Sequence, residues 1–150
     1  MRERARGLLL LLALAAAPGC ERAVGPAPVA WDRTRCQRCG MLVSDPGYAA
    51  QLRRSDGSVE VFDDPGCLLL TLGAGAGEGS PALWFHHARE ERWLAGDAVA
   101  FVAAPHTPMG YGLAAVGAAE APDGLGLAAA RGRVDQLERR RLAPAGGRRP

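Results

Sequence analysis

The stretch Cys36-Gln37-Arg38-Cys39-Gly40-Met41 packs two thiols and a thioether into six residues, and these are the side chains that soft metals prefer. A second thioether stands alone in Thr107-Pro108-Met109-Gly110-Tyr111-Gly112. Monovalent copper is held by thiolate and thioether because both are polarisable, and it is content with two or three ligands where zinc wants four. Few ligands mean easy exchange, which a protein that hands copper on requires. Cys39 and Met41 are two positions apart, so an extended segment at Gly40 would direct both sulfurs to one side. Met109 has to come from another part of the chain to close the site. The candidate ligands are therefore Cys39, Met41 and Met109, with Cys36 either a further ligand or the partner of Cys39 in a disulfide that blocks copper until it is reduced. Arg35 and Arg38 flank the thiols, where they either favour thiolate or lie solvated on the surface.

Other chemistry-bearing residues have plainer readings. Cys67 stands beside Leu68, Leu69 and Leu70 and is read as a small core side chain. Asp63-Asp64 comes just before Pro65 and is read as a helix-capping pair rather than a catalytic one. His86, His87 and His106 are read as surface or packing residues, with an imidazole ligand or a passing role in copper entry as the alternative. Trp84 and Trp93 are read as core anchors.

Rival functions are weighed on the same residues. A thiol oxidoreductase would use Cys36 and Cys39 at a helix start, but Gly40 and the Met-Leu-Val run after it argue against a helix there. Covalent haem attachment needs a histidine where Gly40 stands. A zinc ribbon needs a second pair of ligands, and only Cys67 is left over. A structural lipoprotein without metal would leave the sulfur clustering unexplained.

The elements that must position these groups follow from the rest of the chain. Residues 1–19 have the parts of a secretory signal: Arg2, Arg4 and Arg6, an apolar run from Leu8 to Ala16, and small residues before Cys20. The run is too short to span a bilayer. A cysteine after small residues is the lipoprotein acceptor pattern, so Cys20 is the expected acylation site and the expected location is the periplasm, anchored by lipid to a membrane. Removing residues 1–19 takes three arginines and one acid from the 18 basic and 16 acidic residues. The mature chain is then neutral and gives no sign of nucleic-acid binding. All the basic residues are arginine, which fits the Ala, Gly and Arg enrichment of a GC-rich genome and carries no functional message.

Residues 20–30 read as a tether and 143–150 as a disordered tail, leaving 31–142 for the folded part. Tyr48–Leu52 and Ser58–Phe62 read as a hairpin around Ser55-Asp56-Gly57. Asp63-Asp64-Pro65 starts a helix that stops at Gly73, and Gly73–Ser80 is a flexible loop. Ala82–His86, Ala98–Ala103 and Gly112–Val116 read as strands, Ala118–Ala130 as a weak helix interrupted by Pro122 and two glycines, and Arg133–Leu137 as a last strand. The order predicts an α+β fold with a faint internal echo, about 31–80 and 81–142.

Four segments, Cys36-x-x-Cys39-Gly40-Met41, Phe62-Asp63-Asp64-Pro65-Gly66-Cys67, Trp93-Leu94-Ala95-Gly96-Asp97-Ala98 and Thr107-Pro108-Met109-Gly110-Tyr111-Gly112, occur in the order found in the NosL family. The chain resembles that family from residue 31 to about 137. The resemblance implies a periplasmic lipoprotein that binds Cu(I) and delivers it to nitrous oxide reductase while that enzyme's copper-centre assembly machinery works. It also implies a fold of two ββαβ-type repeats and no catalysed reaction.

Overall fold

The computed structural model describes residues 25–73 and 81–143. The expected signal peptide, Cys20, the loop at 74–80 and the tail from 144 lie outside the described residues. The fold is α+β. After a short 3-10 turn at Pro46–Tyr48, strands β1 (Ala50–Arg53) and β2 (Val59–Phe62) lead into helix α1 (Pro65–Gly73) and strand β3 (Ala82–His86). Then come β4 (Trp93–Ala95), β5 (Val99–Ala103), β6 (Leu113–Gly117) and helix α2 (Leu127–Leu142).

The β1–β2 hairpin forms where the turn residues demand it. Asp56 Oδ1 accepts the Ser58 amide at 2.8 Å, and β1 pairs antiparallel with β2 on one side and β3 on the other. With β4 against β3, the sheet order is β2-β1-β3-β4. β4 was not foreseen as a strand; its three residues are too few to show an alternating pattern, and pairing with β3 decides their conformation. α1 starts as expected. Asp64 Oδ1 accepts the Gly66 amide at 2.8 Å, Pro65 needs no donor partner there, and Cys67, Leu68 and Leu69 are fully buried behind it.

β5 and β6 make a separate two-stranded sheet. Two expectations fail after it. Residues 118–126 form turns rather than a helix, because the Pro122-Asp123-Gly124 stretch breaks it and Leu125 exchanges both backbone hydrogen bonds with Phe101, at 2.8 and 2.9 Å. The expected strand at Arg133–Leu137 lies in the middle of α2. Ala130, Val134 and Leu137 fall on one helical face at spacings of four and three, with Ala130 and Val134 buried. The structure thus contains two hairpin–helix units, β1-β2-α1 and β5-β6-α2, whose helices touch. Only the first is followed by a strand among the described residues.

Trp84 and Trp93 are only half-buried, Trp93 packing against the core, and the fully buried anchors are Phe62, Phe85, Phe101, Leu68, Leu69 and Leu113. The ordered chain also begins ahead of residue 31. Gln51 accepts from the Ala27 amide at 2.8 Å and donates to its carbonyl at 2.7 Å, and Arg53 donates to the Gly25 carbonyl at 3.0 Å. No helix among the described residues is long and apolar enough to cross a membrane.

Candidate metal centre

The segment with the first two thiols folds as a closed turn. Arg35 bridges Leu42, the Cys36 amide donates to the Met41 carbonyl at 2.7 Å, and the Gly40 amide donates back to the Cys36 carbonyl at 3.0 Å. Gly40 has φ of +77°, a left-handed conformation that glycine adopts without steric cost. The condition for Cys39 and Met41 to share a strand face is therefore not met. The Gln37 amide donates to the Val61 carbonyl at 2.9 Å, which seats the turn on β2 two residues before Asp63.

That docking assembles a cluster. The ligand atoms of Cys36, Cys39, Asp63 and Cys67 all lie within 4.8 Å of one another. Sulfur ligands held at about 2.3 Å around one tetrahedral metal are roughly 3.8 Å apart, so small side-chain movements bring all four onto one ion. The group could hold a metal ion. Its three cysteines are free thiols. Cys36, Asp63 and Cys67 are buried while Cys39 is half-buried and lies nearest to solvent.

Buried acidic groups set the electrostatics of the cluster. Cys39 Sγ donates to Asp63 Oδ1 at 3.2 Å. Asp63 Oδ2 is buried without a hydrogen-bond partner among the described residues, an arrangement that costs free energy unless a proton or metal satisfies it. Burial and then the neighbouring Cys36 raise the Asp63 carboxyl to about 6. The Cys36 thiol is lowered to about 4, chiefly by its hydrogen bond with Cys67 and then by Asp63 and the Cys39 amide, against the opposing effect of burial. Burial raises Cys39 to about 12, and the bond to Cys36 together with burial pushes Cys67 up. The Cys36 thiolate and the Asp63 carboxylate thus sit beside two thiols that keep their protons, and a bound cation would take the place of those protons. Arg35 and Arg38 are engaged elsewhere, Arg35 with the Gly40 carbonyl at 2.9 Å and Arg38 facing Glu138 at 3.9 Å.

Of the expected ligands, the structure brings Cys36 and Cys39 together. Met41 is 47% exposed. Met109 lies half-buried in a separate loop whose backbone reaches the same corner: its amide donates to Asp64 Oδ2 at 3.0 Å, next to Asp63 in the chain. The sequence reading missed Cys67 and Asp63 as members of the site. Asp64 does cap α1, but Asp63 turns the other way, toward the thiols. No local signal marks Cys67 and Asp63, because Asp63 stands ahead of α1 and the two meet the other thiols only once the cysteine turn is docked on β2.

A second group, His87, Glu90 and Glu120, is as close-knit but already satisfied. His87 Nδ1 accepts the amides of Arg89 and Glu90, both at 3.1 Å, which leaves Nε2 to donate to Glu120 at 2.9 Å. Arg92 pairs with both glutamates. His86 donates from Nδ1 to the His87 carbonyl at 3.0 Å and meets Trp31 and Trp93 edge-on. His106 is exposed. Comparison of the chain with protein-family models, with curated proteins and with solved structures finds no match.

Proposed function

We propose that the protein is a membrane-anchored Cu(I) metallochaperone of the NosL type. The observation that carries this reading is the convergence of three free thiols on one corner of the fold, two of them buried and one half-buried. Cys36, Cys39 and Cys67 supply three soft donors, enough for copper. Cys39, the least buried, is the first to meet an incoming ligand from a recipient. Met109 stands as a further thioether donor to the bound copper and Met41 as one during capture and release, and Asp63 balances the charge. Delivery is ligand exchange, so no bond of a substrate is made or broken. The lipid anchor at Cys20 and the periplasmic location rest on the signal pattern. Nitrous oxide reductase as recipient, and the two hairpin–helix units as diverged repeats, rest on the NosL resemblance.

Asp63 favours a second reading. Its unpartnered oxygen makes a fourth donor, which would suit a four-coordinate zinc ion better than copper. The oxidoreductase alternative has less support, because the thiol that ionises first, Cys36, is buried and out of reach of a protein disulfide.

Anaerobic titration of the reduced full chain in detergent with Cu(I), and separately with Zn(II), each against a competing chelator, tests the reading. One tight copper per chain, weakened in Cys36→Ala, Cys39→Ala and Cys67→Ala, is the expected result. Zinc held more tightly than a zinc chelator holds it, with copper weak, would favour the second reading. Indifference of both metals to the cysteines would overturn both.

A further inference from the structure

The loop that carries Met109 is held from two sides. From below, Asp64 Oδ2 accepts the Met109 amide at 3.0 Å, and the Tyr111 side chain lies against Gly66, the residue before Cys67; a Cβ built on Gly66 would stand 2.3 Å from its ring. From outside, the last turns of α2 close over it. Arg141 donates from Nη1 to the Met109 carbonyl at 3.1 Å and from Nη2 to the Gly110 carbonyl at 2.9 Å, and its guanidinium stacks 4.8 Å from the centre of the Tyr111 ring. One turn earlier, Glu138 accepts from the Tyr111 hydroxyl at 3.2 Å and faces Arg38, beside Cys39, at 3.9 Å.

A cation at a helix C-terminus is favourable wherever it points, and α2 ends in Arg139, Arg140 and Arg141. The helix dipole does not explain why Arg141 leaves its own helix to bind two consecutive carbonyls of the Met109 loop in the planar fork that only arginine offers. Nor does it explain why Glu138 contacts both sulfur-bearing loops. The end of α2 touches the cysteine turn through Arg38 and the methionine loop through Tyr111, Met109 and Gly110, so it links the two sulfur-bearing loops.

We propose that Arg141 and Glu138 are positioning residues that clasp the Met109 loop against the thiol cluster, so that the end of α2 sets how tightly the site retains copper. This rests on the copper reading above. A recipient that draws Arg141 or Glu138 to itself would free the loop, withdraw the Met109 thioether and leave the metal on thiolates open to exchange.

The test is Cu(I) affinity by chelator competition on the full reduced chain in detergent, for wild type, Arg141→Ala, Arg141→Lys, Glu138→Gln, Met109→Leu and the Arg141→Ala/Met109→Leu pair, with copper X-ray absorption to count bound sulfurs. Loss of a supporting residue around a metal typically costs 10- to 100-fold. Arg141→Ala is expected to weaken copper by about tenfold, Lys to recover part of it, and Met109→Leu to match it. The double variant should be no weaker than Met109→Leu alone, since both changes remove one contribution. Arg141→Ala and Met109→Leu should each show one sulfur fewer. Should Arg141→Ala unfold, Arg141→Lys and Glu138→Gln carry the same test with smaller losses. Wild-type affinity in these variants, or losses that multiply in the pair, would overturn the clasp while leaving a Cys39-dependent copper site intact. Failure of wild type to bind copper, or indifference to Cys39→Ala, would overturn both.

Discussion

Cys39 donates its thiol proton to one oxygen of Asp63 at 3.2 Å, while the other oxygen of that carboxylate is buried and unpartnered among the described residues. Two residues 24 positions apart thus share one proton at the mouth of the thiol cluster. Asp63→Asn tests what the carboxylate contributes. It keeps the shape and removes the charge that balances a bound cation. Copper should bind about tenfold more weakly, and zinc, which would use the oxygen as a ligand, should lose much more, about a hundredfold. Equal losses for the two metals would show that Asp63 does not distinguish them.

Cys67 separates a core thiol from a ligand. A buried thiol changed to serine introduces a hydroxyl that needs a partner and costs stability, on the order of 1–3 kcal/mol. Cys67→Ala instead leaves a small void and costs less. If Cys67 is a ligand, both substitutions weaken copper by more than about a hundredfold, the upper range for supporting residues. Retained affinity in Cys67→Ala, with a modest fall in melting temperature, would return Cys67 to the core.

Much of the fold was legible because local chemistry and tertiary packing agreed. The Asp56-Gly57 turn and the Asp64-Pro65 helix start specify their own conformations, and the elements around them stand where the pattern put them. Agreement ended where packing decided. Arg133–Leu137 is too short to tell a strand from one face of a helix, and only the positions of Ala130 and Val134 against the core settle it. Trp93–Ala95 becomes a strand because β3 offers an edge. At the site, Cys36 and Cys39 were legible from proximity in sequence. Cys67 and Asp63 were not, since their membership depends on the Gln37–Val61 hydrogen bond that docks the cysteine turn on β2, a long-range contact with no local signature.

The ionisation pattern predicts how the reduced, metal-free protein responds to pH. Cys36 is lowered from 9.0 to about 4, so between those values the unfolded chain holds more protons than the folded one, and stability rises with pH. Asp63, raised from 3.8 to about 6, acts in the opposite sense across its own window, so the two oppose each other below about pH 6. Above pH 9, Cys39, raised to about 12, makes stability fall as pH rises. Urea unfolding at stepped pH should therefore show a gain from about pH 6 to 9 and a decline beyond, with the gain absent in Cys36→Ser. A rise that survives in Cys36→Ser would place the thiolate elsewhere.

Metal removal should register in the melting temperature. A ligand at a hundred times its Kd adds about 2.7 kcal/mol to the folded state, which in a domain of roughly 120 residues raises the melting temperature by about 8–12 °C. Stripping copper with a chelator should reverse this in wild type and change nothing in Cys36→Ala/Cys39→Ala. A shift that persists in that double variant would locate the metal away from the cluster.

Gly66→Ala sets two effects against each other. In a helix, alanine is better than glycine by about 1 kcal/mol, so on propensity alone the change stabilises. Here the new methyl would stand 2.3 Å from two atoms of the Tyr111 ring and 2.6 Å from its Cβ, closer than any side chain can remain. Tyr111 is buried, its hydroxyl is held by Glu138 and its face by Arg141, so it cannot swing aside without lifting the Met109 loop. Overpacking of this kind costs about 1–3 kcal/mol. We expect net destabilisation of up to about 2 kcal/mol in chemical unfolding, together with weaker copper binding as Met109 moves away from Asp64. A more stable Gly66→Ala protein with unchanged affinity would mean that the loop packs less closely on α1 than the ring geometry requires.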